Sequence, residues 1–207
     1  MEIIASVDTV RNKTHIVFES GWQVWLDKNL LPGFPLQEGT QVNRESFTKY
    51  ILLHQYPAAL NRAVSLLAQR ARSKAEIESR LKLSHYDEEV INLVLYKLEK
   101  EGFLNDQEFA EQWIESRMKK YGPARIRQEL KIKGVDAETA DASMLACSEE
   151  SQLEAAVSAA RKKIRSASSA ADLPKLFRQV TGMLVRRGFS WETAKKAYDI
   201  AIQEPEE

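Results

Sequence analysis

The chain has 207 residues, 43% of them hydrophobic, and 30 Lys plus Arg balance 30 Asp plus Glu. That composition supports a packed core and excludes a chain that is basic throughout, though not basic patches offset elsewhere. The lone cysteine, Cys147, excludes an intrachain disulfide, and neither a basic leader nor an apolar run of about 18 residues is present, which reads as a soluble cytoplasmic protein with no membrane partner.

From Met1 to about Gly39 the sequence is written in strands. "IIASVDTV" is rich in β-branched residues, "RNK" supplies a polar turn and "THIVFES" continues the pattern. After Gly21, Trp22, Val24 and Leu26 alternate with Gln23, Trp25 and Asp27. A three-stranded antiparallel meander follows, packed for stability against the first helix. "LLPGFPLQEG", with two prolines and two glycines, reads as a connection. From Asn43 the period becomes helical. Asn43 caps a helix through "RESFTKYILLHQY", and Pro57 suits the first turn of another.

The helical part repeats itself. Ile77, Leu81 and Tyr86 correspond to Ile126, Leu130 and Val135, and again to Val180, Leu184 and Phe189. Each unit reads as a long helix, a short helix burying two residues at i and i+4, and a closing helix. Ser73 with Glu76 forms a capping box, Gly122-Pro123 opens the second short helix, and Asp87, Asp136 and Ser190 precede the closing helices. Gly102, Gly134 and Gly188 stand where helices end in a left-handed residue. The fold class is therefore mainly α. It is an elongated array of three tandem three-helix repeats behind a small antiparallel β meander. The divisions are an N-terminal extension and linker over 1–42, repeats over 43–104 and 105–148, and a third repeat with a short acidic tail over 149–207.

Neutrality is an average over segregated blocks. Ser84 to Ser116 holds nine acids against Lys97 and Lys100, a net −7. Arg117 to Lys133 holds seven bases against Glu129, a net +6, and Arg161 to Lys196 holds ten bases against Asp172 and Glu192, a net +8. Clustered Lys and Arg are the footprint expected for phosphate or an acidic protein surface. The plainer reading is helix-dipole complementation, which fits Lys119 and Lys120 but not ten bases covering whole helices. Phe109, Ala110, Trp113, Ile114 and Met118 make one apolar stripe, with Trp113 read as core and Arg117 at its edge. Arg125 pairs with Glu129 one turn away, which leaves Arg127 and Lys131 to reach one external ligand. The candidate contacts are Arg117, Arg127, Lys131, Lys133, Arg161, Lys162, Lys163, Arg165, Arg186 and Arg187.

Catalytic constellations are missing. His15, His54 and His85 are scattered without metal spacing, no nucleotide-binding glycine motif occurs, and Glu149 and Glu150 disfavour a Cys147 thiolate. No metal, cofactor or catalytic residue is expected.

The stretch "LNDQEFAEQWIESRMKKYGPARIRQELKIKGV" resembles the central signature of the RecX family, in Leu104, Asp106, Phe109-Ala110, Ser116-Arg117, Gly122, Ile126, Leu130 and Lys133-Gly134-Val135. "LVRRGFSWETAKKA" is similar to the family's last repeat, through Arg187-Gly188-Phe189, and "YKLEKEGFLND" to the junction of the first two. The likeness spans about Pro57 to Ile202. Trp113 and Val135 depart mildly, and the strands lie outside the shared core. The resemblance implies a monomeric, non-enzymatic regulator of the RecA recombinase. It implies binding in the groove of the RecA–single-stranded DNA filament to dampen ATPase, strand exchange and coprotease activity, in DNA repair and the SOS response. Two other readings stay open: a stand-alone helical DNA-binding module and an adaptor using its acidic face.

Overall fold

The computed structural model describes residues 1–28, 36–145, 147–166 and 172–203. The predicted connection over 31–39 lies partly outside these residues, and the acidic tail after Gln203 wholly so. The chain forms two compact units, Met1–Leu104 and Asn105–Glu207.

In the first unit, β1 (Glu2–Val10), β2 (Lys13–Phe18), β3 (Gln23–Asp27) and β4 (Gln41–Val42) form an antiparallel sheet of order β3-β2-β1-β4. Alternation puts Ile16, Phe18, Val24 and Leu26 on the buried face, as the period of two requires. The predicted meander is β1 to β3. The added β4 is two residues long, too short to show any period, and pairs Val42 with Glu2.

The sheet shares one core with α1 (Arg44–Gln69), α2 (Lys74–Leu83) and α3 (Glu88–Lys100). Phe47 of α1 packs edge-on against Phe18 and Trp22, with ring centroids 5.9 Å apart in each case. Gln55 ties sheet to helices: its amide donates to the Trp25 carbonyl at 2.6 Å, and its oxygen accepts from the Asp87 N–H at 2.9 Å. Lys13 Nζ donates to the Ser84 carbonyl.

One expectation is corrected. Pro57 does not begin a helix but lies inside the 26-residue α1. Pro57 and Leu53, whose carbonyl loses its i+4 donor, both face solvent, so water can replace the missing bond. The buried residues Phe47, Ile51, Gln55, Ala59, Ala63 and Leu66 form a continuous stripe through the proline, and that packing carries the helix across it.

The second unit holds α4 (Asp106–Met118), α5 (Pro123–Ile132) and α6 (Ala137–Met144), followed by α7 (Glu149–Arg165), α8 (Leu173–Arg186) and α9 (Trp191–Gln203). The three-helix period holds throughout. Ile77 and Leu81, Ile126 and Leu130, and Val180 and Leu184 are all at most 1% exposed. The caps are those expected: Ser73 accepts from the Glu76 N–H at 3.2 Å, Asp136 from Thr139 at 2.8 Å and Ser190 from Thr193 at 3.0 Å. No helix among the described residues is long and apolar enough to cross a membrane.

A backbone joint links the second and third repeats. The N-terminus of α5 has no side-chain cap. Instead, the Gly122 N–H donates to the Arg187 carbonyl at 2.9 Å and the Ala124 N–H to the Gly188 carbonyl at 3.2 Å. A Cβ on Gly122 would fall on the Gly188–Phe189 peptide, and one on Gly188 would fall on the Arg125 backbone. Both positions therefore require glycine, and Gly188 also has φ of +90°.

Candidate functional site

The basic block of the second repeat divides into bound and free charges. Glu129, on α5, is the hub of the bound ones. Its carboxylate meets Arg117 Nε at 3.0 Å and Arg125 Nε at 3.2 Å, and accepts from the Trp113 indole N–H at 3.2 Å. The Arg117 guanidinium lies 4.6 Å from the Trp113 ring centroid, the Lys133 ammonium covers the same ring at 4.9 Å, and Arg125 stacks over Tyr121 at 4.3 Å. Trp113 is thus roofed by cations and packed on the α4–α6 core, as the core reading requires. Arg117 and Lys133, both candidate contacts, are half-buried parts of this cluster.

Arg127 and Lys131 are exposed on α5, as their spacing predicts. They are not equivalent. Arg127 Nε donates to Asp141 of α6 at 2.8 Å, a partner fourteen residues away that helical spacing could not reveal. Lys131 has no ion pair among the described residues. The internal repeat sharpens the comparison. The same positions in the first repeat are Glu78 and Lys82, which neutralise each other at 2.6 Å. In the third repeat they are buried Thr181 and exposed Val185. Paired cations at this place are peculiar to the second repeat.

In the third repeat, Arg161, Lys162, Lys163 and Arg165 occupy the last turns of α7, where they also complement the helix dipole. Arg161 and Lys163 are half-buried, while Lys162 and Arg165 face solvent. Arg186 ends α8 and Arg187 is its C-cap, with the Arg187 carbonyl held by Gly122. Two cations that were not singled out from the sequence join Arg186. An open cleft of about 480 Å³ along α8 is lined by Lys175, Arg178, Gln179 and Arg186, with Asp172 at its end. The signal that could have found them was the i, i+3, i+11 spacing on the side of α8 opposite Leu176, Val180 and Leu184.

The three histidines all make ring contacts. His15 and His85 sandwich Trp25, with centroids at 4.2 and 4.4 Å, and His54 lies against Tyr50 at 4.2 Å. Burial pushes the Cys147 thiol pKa up, outweighing the nearby Arg127. The direction agrees with an inert thiol, but burial rather than the neighbouring glutamates is the cause. Among the described residues no group of three or more His, Cys, Asp or Glu side chains is placed to hold a metal.

Comparison with known proteins finds three consecutive three-helix domains of one family. Residues 59–98 match the family model described as RecX, first three-helix domain; residues 105–144 match the second and 149–198 the third. A regulatory protein RecX from Corynebacterium efficiens is 35% identical over 69% of this chain and 73% of its own length. The regulatory protein RecX of Bacillus subtilis is 27% identical over 96% of this chain and 77% of its own. A crystal structure of regulatory protein RecX covers 99% of this chain and 100% of its own with a TM-score of 0.66, at 22% identity. RecX from Lactobacillus salivarius gives the same TM-score over 72% of this chain and 97% of its own, at 23% identity.

Proposed function

The chain belongs to the RecX family of regulatory proteins, and from that premise we propose that it regulates the RecA recombinase. In this reading it binds in the groove of the RecA–single-stranded DNA filament and dampens ATPase, strand exchange and coprotease activity, in DNA repair and the SOS response. It acts in the cytoplasm as a monomer, by binding alone and without chemistry of its own.

The observation that carries the reading is the division of charge in the second unit. Glu129 and Asp141 neutralise part of the basic complement. Lys131 on α5 and the cations lining the α8 cleft remain directed outward. A surface with cations in excess of its own acids is suited to a phosphate-bearing filament. The test is RecA's DNA-dependent ATPase, measured with this protein added at substoichiometric to equimolar ratios. Turnover is expected to fall. Unchanged turnover, with unchanged strand exchange, overturns the proposal.

A further inference from the structure

Helix α8 contains a glycine that its packing does not require. Gly182 lies in the middle of the helix, where glycine costs about 1 kcal/mol relative to alanine. Its φ is not positive, and a Cβ built there would approach only the tip of one side chain, Arg186 Nη1, at 3.4 Å. Neither backbone conformation nor close packing accounts for it, unlike Gly122 and Gly188.

Its position supplies a reason. At about 100° per residue, Lys175, Arg178, Gln179, Gly182 and Arg186 fall on one side of α8. Leu176, Val180 and Leu184 fall on the other and are buried. Gly182 lies one turn from Arg178 and one from Arg186, along the same row that lines the cleft. The Arg186 guanidinium reaches back over Gly182, its Nη1 3.4 Å from where a Cβ would stand. Asp172 is turned to the backbone: it caps the helix by accepting from the Lys175 N–H at 2.9 Å. Arg178 Nε donates to the Pro174 carbonyl at 3.3 Å, which holds its guanidinium along the helix. The three cations have no ion pair among the described residues.

We infer that the α8 cleft is a binding site for the phosphodiester backbone of single-stranded nucleic acid, and that Gly182 is its floor. Two guanidinium forks, an ammonium and an amide donor suit phosphate oxygens. From Lys175 to Arg186 the helix rises about 16 Å, enough to lie alongside more than one phosphate. The cleft is open to solvent rather than enclosed, so a chain can lie across it. The inference rests on the regulatory reading for its biological setting, and it names the part of the surface that meets DNA rather than recombinase.

The experiment uses the full chain and a fluorescent thymidine oligonucleotide of roughly 16 nucleotides, titrated across a salt series without recombinase. Arg178→Ala with Arg186→Ala should lower the slope of log affinity against log salt by about 1.4, two contacts at about 0.7 each for a single strand. Gly182→Ala is the more discriminating variant. It should raise the melting midpoint of its unit by about 4 °C, because it removes a helix-interior glycine, and yet weaken oligonucleotide binding by about threefold or more. A structural glycine would instead lose stability on substitution. The inference is overturned if the oligonucleotide does not bind at low salt, if the double variant leaves the slope unchanged, or if Gly182→Ala binds like the parent. Unchanged oligonucleotide binding with lost ATPase inhibition would assign the cleft to a protein surface and overturn it equally. Loss of oligonucleotide binding by the variants, alongside a parent that never slows RecA, would uphold the cleft and remove the regulatory reading.

Discussion

At the level of single residues, the pattern shows which side chains are charged but not which charges are already used. Arg125 and Glu129 pair as their one-turn spacing requires. That Glu129 also serves Arg117 and the Trp113 indole depends on α4 crossing α5, and no local period records such a crossing. Glu129→Gln keeps an acceptor for the indole but leaves two guanidinium groups side by side without their anion. It should destabilise the second unit by about 1–2 kcal/mol, read as a lowered urea midpoint. Arg127 and Lys131 differ for a similar reason. Lys131→Glu breaks no internal pair and should leave melting unchanged. Arg127→Glu sets a carboxylate against Asp141, and because that pair is exposed it should cost no more than about 1 kcal/mol. Both substitutions, singly and together, are expected to reduce inhibition of the RecA ATPase, and full inhibition by the double variant would remove α5 from the contact surface.

At the level of elements, the helices were legible because an apolar i, i+4 pair recurs in each repeat, followed by a left-handed residue: Gly134 and Gly188 in the second and third, and His85, with φ of +59°, in the first. The strand β4 carries none of these, since two residues define no period, and its place follows only from β1 having a free edge. The unbroken α1 was obscured by a signal pointing the wrong way. Pro57 is a helix starter in isolation, and only the buried stripe on both sides of it decides otherwise. Replacing it tests that account. Pro57→Ala restores a donor to the Leu53 carbonyl and should stabilise the first unit by about 1–3 kcal/mol in thermal or urea unfolding. The glycines that end helices were likewise visible, but the reason Gly122 is glycine was not. Its partner is the Gly188–Phe189 peptide of another repeat. Gly122→Ala pushes a methyl into backbone that cannot rotate away, and it removes the geometry of two inter-repeat hydrogen bonds. A loss of about 1–3 kcal/mol is expected, with amide exchange accelerating first at Gly122 and Ala124.

At the level of the whole molecule, zero net charge conceals the blocks that matter, and the blocks do not follow the units. The acidic run from Ser84 to Ser116 crosses the division after Leu104, whereas the basic runs lie wholly in Asn105–Glu207. The N-terminal strands precede the first matched family domain, which begins at residue 59, and by sequence alone they read as an extension. Their packing argues otherwise. Ile4, Ile16, Phe18, Val24, Leu26 and Val42 are each at most 6% exposed, and they share a core with Phe47 and Ile51 of α1. At about 1.5–3 kcal/mol for each buried side chain, these six contribute roughly 9–18 kcal/mol. A domain's whole stability is about 5–15 kcal/mol. Removing the sheet would also expose Phe47 and strip Gln55 of its Trp25 acceptor. A chain beginning at Arg44 should therefore lose the fold of α1 to α3 rather than retain it. Hydrogen exchange should show those amides unprotected while α4 to α9 keep the protection they have in the full chain. Intact protection across α1 to α3 would mean that the first repeat is self-sufficient. The sheet would then have to be explained by what it binds, not by what it covers.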